Sequence, residues 1–505
     1  MTSAAPTPSA TPSATPSAGA PAHRLPRAAP AERDVDAAGV LALLDALEST
    51  PGVEPHSLLV VRGGAVVAEG WWAPYAAERV HLLYSLSKSF TSVALGMLVD
   101  AGRVDLDDTL VARFPELDAD VTDPRSRAVR VRHVAAMASG HREETLERAQ
   151  ALDPADLVRG FLLLRPDAEP GTVFAYNQPC TYSLAALVQR ESGQTLTEFL
   201  RPRLFDPLGI GEVGWTADGS GRQIGWSGLH ARTEDVAALG ELHLRGGAWG
   251  GRQLLSPQWV ETATRSHVDS ADGMPNPDWQ RGYGFQFWRA RHGYRGDGAY
   301  GQFCLVLPEQ DAVVAITSQS PDMQAVLDAV WEHLLPALGV PASGERDAEL
   351  AQRLAGLALP PLTGGPAPEG LAQRVGAAGV ELVRAPGDAE GSGDQPRLTS
   401  ALLRPAAGTA GAGEGAGGPG AWELQLREPG SVLTVPVAVD GWAEGDAVAA
   451  TAAWRGGVLA VDVVLVETPH RLHVLADPTA GTFTARWETR PLHGSPLGEL
   501  RCPRP

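Results

Sequence analysis

Two side chains three residues apart carry the first chemical signal: Ser85 and Lys88, in the run Tyr84-Ser85-Leu86-Ser87-Lys88. That spacing is close to one helical turn, so it sets a hydroxyl beside an amine. A serine is a poor nucleophile until a base takes its proton, and a lysine buried against an apolar helix face can be neutral enough to take it. The partial positive charge of a helix N-terminus would add support where an oxyanion forms. Composition strengthens the pair, because among 41 basic residues Lys88 is the single lysine and the rest are arginine. A chain that builds its exposed cations from arginine has a use for lysine where a proton must leave near neutral pH, which guanidinium does not allow. The plain alternative is that Ser85 caps the helix and Lys88 is a surface cation, since Ser-x-x-Lys alone is common.

The elements that must position these groups can be read from hydrophobic period. Ser57 to Val61, a turn at Arg62-Gly63-Gly64 and Ala65 to Trp72 predict a β-hairpin. Ser85 to Asp100 predicts a helix, with Phe90, Val93, Ala94, Met97 and Leu98 at helical spacing and Gly102 as its stop. From about 105 to 268 the pattern is mostly helical, Tyr182 to Ser192 closing at Gly193 being one example. Strand signals return at Tyr283 to Arg289, Tyr300 to Leu307 and Ala312 to Ser318, the last two flanking the turn cluster Pro308-Glu309-Gln310-Asp311. Ser320-Pro321 then caps a helix whose apolar face is Met323, Val326, Leu327, Val330, Trp331 and Leu334. A hairpin, a helical insert, strands and a closing helix predict one mixed domain whose sheet joins both ends of the segment.

The stretch HLLYSLSKSFTSVALGMLVDAGRVDLDD resembles the nucleophile region of the serine β-lactamase and penicillin-binding protein superfamily, most closely its class C and esterase-like members. VRVRHVAAMASGH resembles the following helix with its Ser139-Gly140 turn, and PGTVFAYNQPCTYSLAALVQRESG resembles the block that carries the family's catalytic tyrosine, here Tyr176. GWSGLHARTEDVAALGELHLRGGAWGGRQLLSP resembles the helical segment that comes next, so the resemblance covers roughly residues 35 to 340. It implies a β-lactamase-like α/β (α+β) fold, an antiparallel sheet flanked by helices with a helical insert. It also implies acyl transfer through Ser85, with Lys88 or deprotonated Tyr176 as base.

Two departures stand out. The family pattern is Tyr, any residue, then Asn, whereas this chain has Tyr176, Asn177, Gln178, and either amide is a candidate for the substrate-binding hydrogen bond. The third motif, Lys-Thr-Gly or His-x-Gly, has no literal match; its candidate is Gly296-Asp297-Gly298-Ala299, with Asp297, Gly298 and Ala299 as substrate-binding positions. With no cation at Gly296 the usual clamp for a β-lactam or peptide carboxylate is missing. The Ala299 N–H could still complete an oxyanion hole with that of Ser85, a role that needs no side chain. The bland alternative is that Asp297-Gly298 is only a turn.

Composition bounds the remainder. The 505 residues exceed what one core usually organises. The expected division is a disordered Pro/Ser/Ala-rich arm over 1–34, the hydrolase domain over 35–340, and a β-rich domain over 341–505 with a flexible loop at AAGTAGAGEGAGGPGA. Strands are expected there at Trp422 to Leu426, Val432 to Val439, Val458 to Val466, Arg471 to Ala476 and Thr482 to Trp487. A net charge of -19 argues against nucleic acid and anionic membranes as partners, and no apolar run is long enough to span a bilayer. Cys180, Cys304 and Cys502 read as free thiols, too few for a disulfide framework or metal knuckle, so neither a metal nor a cofactor is expected. The N-terminal run lacks the basic and apolar regions of a secretory signal, which favours the cytoplasm. GxSxG, HExxH and Walker patterns are absent. His133, His141, His230 and His292 do not cluster and read as structural, although His292 lies near the third-motif strand; Trp71-Trp72 reads as packing.

The resulting expectation is a metal-independent serine hydrolase acting on an ester or small amide. β-Lactamase or D-amino peptidase activity is the alternative within the fold, and a non-catalytic binding or scaffold protein is the alternative outside catalysis.

Overall fold

The computed structural model describes residues 25–272, 274–365, 367–386, 396–406 and 422–504. The hairpin forms as β1 (Glu54–Arg62) and β2 (Ala65–Trp71), reversing at Gly63 and Gly64, whose φ angles of 56° and 75° are the left-handed values such a turn demands. Downstream come β3 (Trp288–Arg289), β4 (Tyr294–Gly298), β5 (Gln302–Leu307) and β6 (Ala312–Gln319). They form one antiparallel sheet in the order β2-β1-β6-β5-β4-β3, with Leu59 opposite Ala315. The sheet therefore joins both ends of the segment, and the mixed β-lactamase-like fold is the one expected.

Both faces of this sheet are covered. Leu58 and Val60 of β1 point, with Leu305 and Val314, into a core with Val40 and Leu44 of α1 (Ala37–Ser49) and Leu327 of the closing helix. Leu59 and Val61, one residue out of phase, join Val306 and Val313 in a second core with Phe90 and Val93 of α2 (Ser87–Asp100). That core continues through Leu184 of α3 (Gln178–Ser192) and Leu239 of α4 (Thr233–Leu244). The period-2 alternation of β1 thus feeds two helical layers. Each fully buried aliphatic contributes about 1.5–3 kcal/mol.

Several local expectations change. Ser85 sits in a 3₁₀ turn, Tyr84–Leu86, and the α-helix proper begins at Ser87. Of Tyr283 to Arg289 only the last two residues are strand, because Gln286 takes a positive φ of 67° and folds its amide inward onto Thr181 and the Ala135 carbonyl. Asp297 and Gly298 lie within β4, paired with β5, so they are not a mere turn. The cap of the closing helix is Asp322, whose carboxylate accepts from the Ala325 N–H, and not Ser320-Pro321.

Residues 1–24 of the expected arm lie outside the described residues, but 25–34 are built into the fold. Leu25 is buried, and Arg27 bonds both Glu69 and Glu234. Past residue 340 the chain stays on the first unit: Leu350 of α5 (Asp347–Ala355), Leu357 and Leu359 complete the α1 core.

The following strands, Val380–Arg384, Ser400–Pro405, Trp422–Glu428, Ser431–Val439, Ala443–Glu444, Ala449–Arg455, Val458–Val464, Arg471–Asp477 and Thr482–Trp487, close into a barrel where Ala438 pairs Thr451. Ala449–Arg455 is alanine-rich and carries little strand signal. It is a strand because Ala450, Ala452 and Trp454 fill the barrel core. The expected Gly/Ala loop falls almost wholly on 407–421, outside the described residues. Among the described residues no helix is long and apolar enough to cross a membrane.

Candidate active site

The Tyr84–Leu86 turn and the first turn of α2 bring Lys88 Nζ to 3.0 Å from Ser85 Oγ. Lys88 is 1% exposed and donates to the Trp226 carbonyl at 2.9 Å. Burial lowers its pKa from 10.5 to about 7, against the opposing pull of Glu144 and Asp297. The amine is therefore half neutral near pH 7, the condition the Ser-x-x-Lys reading required, and the surface-cation alternative falls.

Tyr176 precedes α3 and packs its ring 4.7 Å from Lys88 Nζ and flat against Trp288, with centroids 5.4 Å apart. Burial pushes its phenol up, the Asp297 carboxylate adds to this, and a hydrogen bond with Ser85 works in the opposite direction. It is thus a neutral phenol in contact with the nucleophile. Of the two groups, burial shifts Lys88 toward its unprotonated form and holds Tyr176 in its protonated one.

Asn177 caps α3 and is fully buried. Its Oδ1 accepts from the Thr145 N–H at 3.1 Å and the Thr145 hydroxyl at 2.9 Å, while its Nδ2 has no partner among the described residues. The Gln178 N–H donates to the Glu144 carboxylate at 3.1 Å, and the Gln178 Oε1 is buried without a partner among the described residues. These amides join α3 to the Glu144–Thr145 turn.

The third-motif candidate runs directly over the nucleophile. A Cβ at Gly298 would meet the Leu83 carbonyl at 2.1 Å and the Leu86 nitrogen at 3.2 Å, and one at Gly296 would meet Leu86 Cδ1 at 2.4 Å and Ser89 Oγ at 2.5 Å. A side chain at 296 would require Leu86 and Ser89 to shift, whereas one at 298 would meet backbone. This close approach sets the Gly298-Ala299 backbone alongside Ser85.

Asp297 is buried and pairs with Arg295 Nε at 3.0 Å. Burial raises the Asp297 carboxyl, while Arg295, Lys88 and the Trp288 indole pull it down. The Arg295 guanidinium is 0% exposed, lies 4.4 Å from the Trp279 ring and also donates to the Asp278 carbonyl. Its Nε is thus paired with Asp297, while its Nη2 has no partner among the described residues.

Sequence reasoning did not single out Glu144, Arg295 or Trp226. Glu144 accepts from the N–H groups of Thr145 and Leu146, both at 2.9 Å, as well as from Gln178, and burial raises its pKa. Only Arg295, one residue before the third-motif candidate, had a local signal. His292 instead packs on Trp331 at 5.1 Å, and the three cysteines are free. Among the described residues no group of three or more His, Cys, Asp or Glu is placed to hold a metal.

Comparison with known proteins addresses the family and the fold. The Beta-lactamase family model matches residues 40–337, more than half the chain. A 6-aminohexanoate-dimer hydrolase of Paenarthrobacter ureafaciens is 29% identical over 331 residues, 59% of this chain and 83% of that one. A lovastatin esterase of Penicillium rubens is 27% identical over 229 residues, 38% of this chain and 56% of that one. A solved Bacillus anthracis structure, provisionally assigned as a 6-aminohexanoate-dimer hydrolase, superimposes with a TM-score of 0.50 at 21% identity, covering 62% of this chain and 86% of that one.

Proposed function

The chain belongs to the Beta-lactamase family, several of its relatives are hydrolases, and on that premise we propose that it is a serine hydrolase of esters or small amides working through an acyl-enzyme. The observation that carries this reading is the buried amine of Lys88, 3.0 Å from Ser85 Oγ with a pKa near 7. Ser85 Oγ attacks the substrate carbonyl while Lys88 Nζ takes its proton. The C=O bond opens to an oxyanion held by the N–H groups of Ser85 and Ala299. When the oxyanion collapses, the bond to the leaving alcohol or amine breaks and Tyr176 hands that group a proton, replacing it from Lys88. Water then attacks the acyl-serine by the same route in reverse, releasing the acid and restoring the Ser85 hydroxyl.

The electrostatics favour neutral acyl groups. Glu144 and Asp297 both act on Lys88, and the nearby guanidinium of Arg295 is paired with Asp297. A carboxylate-bearing β-lactam meets the two acidic side chains Glu144 and Asp297, and the guanidinium beside them already balances Asp297. Esters are therefore the preferred class, and a cytoplasmic setting suits small ester or amide substrates better than cell-wall peptides. The scaffold reading has a cost that argues against it: a buried amine lowers stability at neutral pH and serves no purpose without proton transfer.

The test is an active-site serine probe followed by peptide mapping, with short aryl esters and a chromogenic cephalosporin as substrates. Labelling at Ser85 alone, loss of labelling and hydrolysis in Ser85→Ala, and faster turnover of esters than of the cephalosporin are expected. Labelling elsewhere, or full activity in the alanine variant, overturns the assignment.

A further inference from the structure

The segment that follows the barrel's last strand is bonded to both flanks of the reacting centre. Tyr84, immediately before Ser85, donates its hydroxyl to His470 Nε2 at 2.8 Å and accepts from the Leu492 N–H at 3.3 Å. His470 Nδ1 lies 3.0 Å from the Thr489 carbonyl, to which it donates, so every group in this chain of bonds is satisfied. On the other side Tyr300, immediately after Ala299, donates to the Arg490 carbonyl at 2.7 Å. The Tyr84 and Tyr300 rings meet edge to face at 5.7 Å, and His470 stands edge-on to both. Both tyrosines hold positive φ angles, 47° and 66°, a backbone state unfavourable for a bulky side chain unless its surroundings impose it.

From these tethers the segment lines, with the hydrolase domain, a half-open cavity of about 600 Å³, in the range of ligand sites. Leu82, Ile224 and Trp226 form one wall; Pro491, Leu500 and Pro503 belong to the other. Trp226 is the residue whose carbonyl receives Lys88, and His493, also lining the cavity, is close enough to feel the Lys88 charge. The cavity thus adjoins residues that hold the proton-transfer pair, since Tyr84 precedes Ser85 and Trp226 receives Lys88, although neither Ser85 nor Lys88 lines it. Of its polar lining, His230 and His470 are held toward the neutral form by burial, and the guanidiniums of Arg501 and Arg504 are paired with Asp446, leaving Glu499 as the charge on this wall.

We propose that Thr489–Arg504 is a working wall of the active site, fixing the backbone on either side of the reacting centre and closing a pocket that takes one bulky, uncharged hydrocarbon arm of the substrate. This deepens the hydrolase reading and rests on it. The barrel's role is then to deliver a specificity-determining segment to a site formed otherwise by residues far upstream.

Two variants place an indole in the cavity from opposite sides, Ser495→Trp from the segment and Thr216→Trp from the hydrolase domain, both at exposed lining positions. For p-nitrophenyl 2-naphthoate, kcat/KM is expected to fall roughly tenfold or more in each, with p-nitrophenyl acetate unchanged within about twofold. Equal loss for both esters, or no loss for either, in protein that circular dichroism shows to be folded overturns the proposal. Should one variant not fold, the other decides. A binding titration with the neutral fluorophore Nile red gives a readout free of chemistry: one dye per wild-type chain, bound roughly tenfold more weakly by the variants. Absence of dye binding, or binding the variants leave unchanged, overturns the pocket even if Ser85 proves reactive. Dye binding that behaves as expected in a protein whose Ser85 is never labelled supports the pocket and overturns only the hydrolase reading.

Discussion

Replacing Lys88 with methionine keeps an unbranched apolar stem of similar length and removes the amine, so it isolates what that amine costs the fold. The pKa falls from 10.5 to about 7 on folding, and at about 1.4 kcal/mol per pH unit this corresponds to about 5 kcal/mol over the whole window. The sign follows from proton counting: between pH 7 and 10.5 the unfolded chain holds a proton that the folded chain has released, so wild-type stability rises with pH there and is lost as pH falls. With the folded amine half protonated at pH 7, the gain from pH 7 to pH 9 is about 2 kcal/mol. Lys88→Met has no such contribution. Against its relief stand two hydrogen bonds, to Trp226 and Ser85, together about 2 kcal/mol. The variant is therefore expected to be more stable than wild type at pH 7 by about 2 kcal/mol and near parity at pH 9. Guanidinium denaturation of both proteins at the two pH values measures the difference. A difference that stays constant between pH 7 and 9 would mean that Lys88 keeps its proton throughout, and it would refute the base assignment along with the stability argument.

Ester kcat/KM should rise with pH through about 7 and then level as Lys88 becomes neutral; a profile flat from pH 5 to 9 would contradict this. Gly298→Ala drives a Cβ to 2.1 Å from the Leu83 carbonyl, and the displaced strand should lower kcat by roughly tenfold or more. Gly219→Ala, with nothing within 4 Å of the new Cβ, is the control that should change neither kcat nor KM. Asp297→Asn leaves the buried Arg295 charge without its partner, and thermal or chemical unfolding should show a loss of about 3–5 kcal/mol; unchanged stability would mean that Arg295 finds another counter-charge.

What was legible from sequence was local. Ser85 and Lys88 lie one turn apart on a stretch of strong helical period, so their juxtaposition is decided by backbone geometry and needs no distant contact. The hairpin at Gly63-Gly64, the strand pair around 308–311 and most barrel strands are likewise set by alternation and turn residues within a few positions. The resemblance of the blocks around Ser85 and Tyr176 carried the fold as well. Where local signals misled, a long-range contact had won: the inward amide of Gln286 interrupts a strand-like run, and barrel packing makes a strand of an alanine-rich one.

The state of the site was decided by tertiary structure. Lysine is a base only if desolvated, and the burial that lowers Lys88 comes from groups scattered along the chain, including the Trp226 carbonyl and Tyr176. Glu144 and Arg295 are ordinary charges in the sequence, and they matter because folding sets one near Lys88 and ties the other to Asp297. Gly298 lies against the Leu83 carbonyl and the Leu86 nitrogen, a backbone approach that no spacing discloses. The docking of the Thr489–Leu492 segment on Tyr84 and Tyr300 joins residues 408 and 190 positions apart. Residue type and local spacing mark the groups with reactive chemistry and bring Ser85 and Lys88 together. Their protonation, the charge around them and the wall beside them depend on burial and long-range contact, quantities that belong to the folded chain as a whole.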